Sequence, residues 1–280
     1  MTKYEKLNFD EERALYGERD ILIKDCRFDG PVDGESALKE AGKILADSCY
    51  FNLRYPFWHC EDVKILDSKM SENCRAALWY SSDINIQNSK LHGIKALREC
   101  KNVIIDGCDI LSCEFGWFTS GITAQNSSIE GEYCMLRSKK ISFNDVDFKG
   151  KYSFQYIEDA VFENCNFDTK DAFWHAKNVM VRNSVVRGEY LAWYCSDVTF
   201  ENCEIIGTQP LCYCKNLRLV NCRMIDCDLS FEKSSVNAEI LGYVDSIKNP
   251  EEGYISVESV GEIIKESGNC IIKVKNDSTS

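Results

Sequence analysis

Asp159-Ala160-Val161-Phe162-Glu163-Asn164-Cys165 and Asp197-Val198-Thr199-Phe200-Glu201-Asn202-Cys203 are two copies of one phrase. A polar residue opens it, an apolar-x-apolar alternation follows, and Asn or Asp then Cys or Ser closes it. Further copies are Asp62-Val63-Lys64-Ile65-Leu66-Asp67-Ser68, Asp83-Ile84-Asn85-Ile86-Gln87-Asn88-Ser89 and Asn216-Leu217-Arg218-Leu219-Val220-Asn221-Cys222. The anchor falls at Asp25, Asp47, Asp67, Asn88, Gly107, Asn126, Asp145, Asn164, Asn183, Asn202 and Asn221. The steps between anchors are 22, 20 and 21 residues, then 19 seven times in succession.

Alternation at period two marks a strand with inward residues such as Val103 and Ile105, or Val179 and Val181. A 19-residue period is too short for paired helices and too regular for a sandwich. The Leu-x-x-Leu-x-Leu phrase of leucine-rich repeats is missing. One such coil cannot bury its own apolar face, whereas stacked coils share a continuous core. The expected fold is therefore all-β: a single-stranded right-handed parallel β-helix of about eleven coils, one per anchor. We expect one domain over residues 1–280, with an N-terminal cap at 1–19, coils at 20–235 and a C-terminal cap at 236–280. The caps cover the strand edges that both ends of a solenoid expose. The anchor suits a turn, because Asn and Asp tolerate a left-handed backbone and bond nearby peptide groups.

Composition narrows the partners. A net charge of -12 and a pI near 4.9 disfavour nucleic-acid phosphates and anionic lipids. Met1 to Asp10 carry no apolar leader and no run of eighteen apolar residues occurs, so a cytoplasmic location without membrane contact is expected. The sixteen cysteines fall into repeat columns. Cys26, Cys108, Cys165, Cys203 and Cys222 share one, and Cys60, Cys100, Cys195 and Cys214 another. This reads as small reduced core residues, not as disulfides or a metal site. With no nucleotide fingerprint or phosphate loop, no cofactor is implied.

Several phrases resemble those of an uncharacterised, mainly bacterial family, domain of unknown function 3737, which is similar to the pectin-lyase-like β-helices. They are Glu12-Arg13-Ala14-Leu15-Tyr16-Gly17, Asp33-Gly34-Glu35-Ser36-Ala37-Leu38-Lys39-Glu40, Arg54-Tyr55-Pro56-Phe57-Trp58-His59-Cys60, Arg75-Ala76-Ala77-Leu78-Trp79-Tyr80, Asp171-Ala172-Phe173-Trp174, Gly188-Glu189-Tyr190-Leu191-Ala192-Trp193 and Ser246-Ile247-Lys248-Asn249-Pro250. The likeness runs from about residue 12 to 265. It implies the β-helix fold and brings no catalytic residue with it. The Asn-Thr-Asp, Asp-Asp and Gly-His-Gly phrases of polygalacturonase-like β-helix enzymes do not occur, and no column of aspartates suggests a calcium site.

Chemistry is expected on the segment just before each phrase. All five tryptophans, Trp58, Trp79, Trp117, Trp174 and Trp193, occupy one column. The next column holds His59, Tyr80, Phe118, Tyr156, His175, Tyr194 and Tyr213. Arg98, Gln155, Glu99 and Arg137 in these columns resist burial, so the strip reads as outward-facing or lining a groove. It would suit stacking on sugar rings or docking of a protein partner or a second copy; the alternative is that the tryptophans turn inward or are covered by neighbouring loops. Glu114 with Glu132, and Asp171 with Glu189, fall on adjacent coils, at a separation glycosidases use for acid and nucleophile or base. The same column also makes an ordinary surface ion-pair ladder. Arg54 and Arg75 would bind a sugar carboxylate. The function expected from sequence is recognition of an oligosaccharide, with hydrolase or lyase chemistry if the protein is an enzyme. The alternative is a non-enzymatic scaffold using the same strip to bind a protein partner or form a homodimer.

Overall fold

In the computed structural model, residues 1–30 and 35–275 are described. Asp33, Gly34 and the last five residues of the expected C-terminal cap lie outside the described residues. The chain divides into two compact units, Met1–Ser142 and Phe143–Ser280.

In the first unit the long rungs Thr2–Glu5, Arg19–Lys24, Gly42–Asp47, Glu61–Leu66, Ser82–Gln87 and Lys101–Asp106 pair in parallel with their successors, the last with Ser120–Glu130. Short strands such as Arg27–Phe28, Tyr50–Phe51 and Lys69–Met70 stack beside them. Register places Ile21, Ile44, Val63, Ile84, Val103 and Ile122 directly over one another. All are buried. Each coil thus supplies one layer of a core that no coil could bury alone. Phe9, Phe28 and Phe51 stack in the same way, with ring centroids 4.7 and 4.9 Å apart.

In the second unit Glu158–Glu163, Lys177–Arg182, Ser196–Glu201 and Leu217–Ile225 form the same parallel ladder. Their core is heavier, a packed group that includes Phe143, Phe148, Phe154, Phe162, Phe167 and Phe173.

Both expected caps are corrected. Thr2–Glu5 and Asn8–Phe9 already pair in parallel with the following coil. Ser235–Lys248, Glu252–Ile264 and Ile271–Val274 continue the ladder instead of closing it. The fold is a parallel β-solenoid of about fourteen turns, not eleven. These end coils lack the Asn-Cys phrase, so a search for that phrase passes over them.

The anchor needs a left-handed backbone: Asp25, Asp67, Asn88, Gly107 and Asn126 all have φ between 47° and 63°. One anchor read from sequence is also corrected. In the third coil the left-handed residue is Ser48, with φ 55°, while Asp47 is the last residue of its strand and pairs with Leu66. Counted from Ser48, residues 48 to 67 form a regular coil. The irregularity concentrates in two coils, the one entering Ser48 and the one entering Asn88.

The cysteine columns do more than fill space. Each small side chain turns its S–H or O–H to a backbone carbonyl, as from Cys60 to Leu38 (2.9 Å), Cys100 to Leu78 (2.7 Å) and Ser81 to Phe57 (2.8 Å). Serine therefore alternates freely with cysteine in the column. Ser68 and Ser89 also accept the N–H groups of Cys49 and Ser68 on the preceding coils.

Candidate functional site

The segment before each phrase turns a corner through several left-handed residues. Among them are the outer-column residues His59, Tyr80, Glu99, Phe118, Arg137, Tyr156, His175, Tyr194 and Tyr213, with φ between 52° and 61°. This repeated corner, not any aromatic preference for strands, sets where the rings stand.

The tryptophans are half-buried. Their indole N–H groups donate to the backbone sixteen residues ahead: Trp79 to Lys95 (2.6 Å) and Trp117 to Tyr133 (2.5 Å) in the first unit, Trp174 to Tyr190 and Trp193 to Gln209 (both 2.7 Å) in the second. Gln155 makes the same bond to Asp171 at 3.0 Å. The column thus fastens each coil to the next. Arg98 replaces an indole by lying between two, its guanidinium 5.1 Å from the Trp79 ring and 5.6 Å from the Trp117 ring. Trp58 is the exception, with a buried and unpartnered N–H.

The outer rings stack on one another. In the second unit Tyr156, His175, Tyr194 and Tyr213 lie nearly parallel, with centroids 4.6, 5.1 and 4.8 Å apart. In the first unit His59 and Tyr80 stack at 4.9 Å. Stacking of this kind occupies ring faces and turns ring edges to solvent.

The acidic candidates divide. Glu114 pairs with Lys95 at 3.2 Å, and its backbone N–H donates to Glu132, which places the two on successive coils. Glu189 pairs with Lys170 at 2.7 Å. Asp171 lies over Glu189 on the preceding coil, its backbone N–H donating to the Glu189 carbonyl at 3.0 Å. Its side chain is buried and makes no hydrogen bond or ion pair among the described residues, and burial pushes its carboxyl above the usual carboxylate range against the opposing charge of Lys170.

The two irregular coils meet at one corner of the first unit. The Arg13 N–H donates to the Glu35 carbonyl and the Ser36 N–H donates to the Arg54 carbonyl, so the turn at Glu35–Ser36 closes the extra length of the first irregular coil. In the second, Met70 aligns with Phe51, whereas the Tyr55 N–H reaches the Arg75 carbonyl; the two extra residues lie between. The extra chain leaves a cleft of about 310 Å³ lined by Gly30, Asn52, Leu53, Arg54, Glu72, Asn73, Arg75 and Ile94. Asn52 is its hub. It donates to Asp29 at 2.7 Å and accepts from Ser71 and from the Asn73 amide. Arg54 pairs with Glu35 at 3.5 Å. Arg75 is exposed, and among the described residues its side chain has no partner. Of the sequence candidates, the structure brings Arg54 and Arg75 together in this cleft. Glu72, Asn52 and Asn73 were missed, although the uneven steps around Asp67 and Asn88 marked the place. Among the described residues no three His, Cys, Asp or Glu side chains gather as a metal ion would require.

A model of the family described as "Protein of unknown function (DUF3737)" matches residues 2–275. Among solved structures, the chain is similar to the A-module of the Azotobacter vinelandii mannuronan C-5 epimerase AlgE4, with 9% identity over 97% of this chain and 87% of that one and a TM-score of 0.29. It is similar also to the catalytic domain of a GH87 alpha-1,3-glucanase in complex with tetrasaccharides, with 10% identity over 97% and 61% of the two chains and a TM-score of 0.30. No curated protein matches the chain.

Proposed function

The chain belongs to the DUF3737 family, and for it we propose recognition of a saccharide that carries a carboxylate, bound in the cleft of the first unit. The observation that carries this reading is the convergence of Arg54 and Arg75, from successive coils, on one cavity of about 310 Å³. That volume lies at the low end of small-ligand sites, suited to one or two sugar rings. A guanidinium matches a carboxylate through two parallel N–H bonds, and among the described residues no acid pairs with Arg75. Asn52 and Asn73 add planar amides for hydroxyl groups. Asn52 is fixed by its own hydrogen bonds, so little order is lost when a ligand meets it.

Binding without cleavage fits the lining, whose described residues include one carboxylate, Glu72. Acid-base hydrolysis of a glycoside uses two. The aromatic strip is a poorer sugar platform, because its outer rings already cover one another's faces. Titration calorimetry with uronic-acid mono- and disaccharides tests the reading. We expect binding by the wild type and a loss of roughly tenfold to a hundredfold in Arg75→Ala, the weight of a charged hydrogen-bonded pair. Equal affinity in both proteins would refute it.

A second reading, cleavage at Asp171 with Glu189 as the companion carboxylate, draws support from the burial of Asp171 and the raised pKa that burial gives it. Turnover of aryl glycosides that is lost in Asp171→Asn would favour it over simple binding.

A further inference from the structure

The geometry points to a zwitterionic ligand, a sugar acid that also carries a free amine, as the preferred occupant of the Arg54–Arg75 cleft. This rests on the saccharide reading above and names the ligand class more closely.

Arg54 is compensated by Glu35. Among the described lining residues two charges remain: the carboxylate of Glu72 and the guanidinium of Arg75. Both stand on the turn that carries the two extra residues of the second irregular coil. Opposite charges three residues apart in one turn would ordinarily find each other, yet neither side chain has an ion-pair or hydrogen-bond partner among the described residues. The turn is braced from another side. Asn73, between them, is tied to Asn52 at 3.1 Å, and its own backbone N–H is held by the Ser71 hydroxyl at 3.2 Å. The Arg75 N–H also closes on the Asn73 carbonyl at 2.8 Å. With the turn fixed through Asn73, no ion pair forms between the flanking Glu72 and Arg75 side chains.

Two separated, uncompensated, opposite charges facing one small cavity are the complement of a ligand bearing the same two charges reversed. A carboxylate would sit on Arg75 and an ammonium on Glu72, with ring hydroxyls toward the amides of Asn52 and Asn73. A plain uronate would leave Glu72 facing an anion at close range, which lowers its affinity. An N-acetylated sugar acid removes the ammonium and loses the Glu72 partner in the same way.

The experiment is calorimetry with four defined probes: glucuronate, 2-amino-2-deoxyglucuronate, its N-acetyl derivative, and glucosamine. The expected result is that the amino acid sugar binds at least tenfold more tightly than either glucuronate or the N-acetyl form. In Glu72→Gln that advantage should fall to within twofold while glucuronate binds as well or better. Binding of glucuronate with no gain from the amine would overturn this inference and leave the carboxylate reading standing. Failure of all four probes would overturn both. Preference for glucosamine over both acids would overturn the role given to Arg75 while implicating Glu72 alone.

Discussion

The side-chain amide of Asn73 donates to Oδ1 of Asn52 at 3.1 Å, joining the inserted turn of one coil to the coil before it. Asn52 in turn donates to Asp29 at 2.7 Å, so one amide ties three consecutive coils around the cleft. Asn52→Ala should therefore weaken ligand binding without touching a charge, and cost about 1–2 kcal/mol of stability for the lost hydrogen bonds. Thermal unfolding and calorimetry on the same variant check both effects.

Asp29 gives that bond a pH signature. The Asn52 amide first, and Arg27 second, hold its carboxyl below the usual carboxylate range. A depressed folded-state value means the stabilisation is present above the unfolded-state value and is lost as pH falls through the folded one. In Asn52→Ala the Asp29 carboxyl should titrate nearer its ordinary value, read from its carbon chemical shift. The stability gap between the two proteins should narrow as acid protonates Asp29.

Asp171 carries the opposite sign. Burial raises its folded-state value, so stability is greatest below the unfolded-state value and falls as pH rises through the folded one. Asp171→Asn should then unfold at a higher temperature than wild type at neutral pH and show no advantage at strongly acid pH. A variant less stable than wild type at pH 7 would contradict the account of this side chain.

The repeat was legible in the sequence because the anchor and its Cys or Ser neighbour both answer to backbone geometry, which every coil shares. Ser48 was not. Asp47 beside it is the better left-handed residue on chemical grounds, and only pairing with Leu66 shows it inside the strand. The end coils were hidden for the same reason, since Lys6, with φ 55°, fills the anchor position without the usual side chain. Arg54 and Arg75 were found as charges in a column. The cleft around them was not, because it is made by extra residues, and a periodic reading discards whatever breaks the period. The face-to-face stacking of His175 with Tyr194 depends on a corner torsion that residue spacing does not carry.

Glycines test the coil spacing directly. A Cβ on Gly131 would stand 2.3 Å from the Ser112 carbonyl oxygen, a backbone atom with no room to yield. Gly131→Ala should cost about 1–3 kcal/mol. Gly107, left-handed at φ 63°, occupies an anchor, and the one close approach of its Cβ would be to the end of the Asn88 side chain, Oδ1 at 2.8 Å. Gly107→Asn should fall within about 0.5 kcal/mol of wild type, since Asn suits that backbone. Denaturant titration separates the two.

Fifteen of the sixteen cysteines are buried and reduced, and Cys113 alone is exposed. Burial pushes the thiols of Cys49, Cys60 and Cys74 up to about 12, which keeps them from forming reactive thiolates. A thiol reagent should therefore label one cysteine per native chain within minutes, and all sixteen in denaturant. The single fast site should disappear in Cys113→Ser.

The most direct test of the cleft as the binding site is a two-dimensional nitrogen–proton spectrum recorded during titration with 2-amino-2-deoxyglucuronate, following the arginine Nε–H and tryptophan Nε1–H signals together. We predict that the Arg75 signal shifts saturably, with a smaller shift for Arg54, while those of Trp174 and Trp193 stay in place. Saturable movement of the tryptophan signals with Arg75 unmoved would contradict the account and return the site to the aromatic strip.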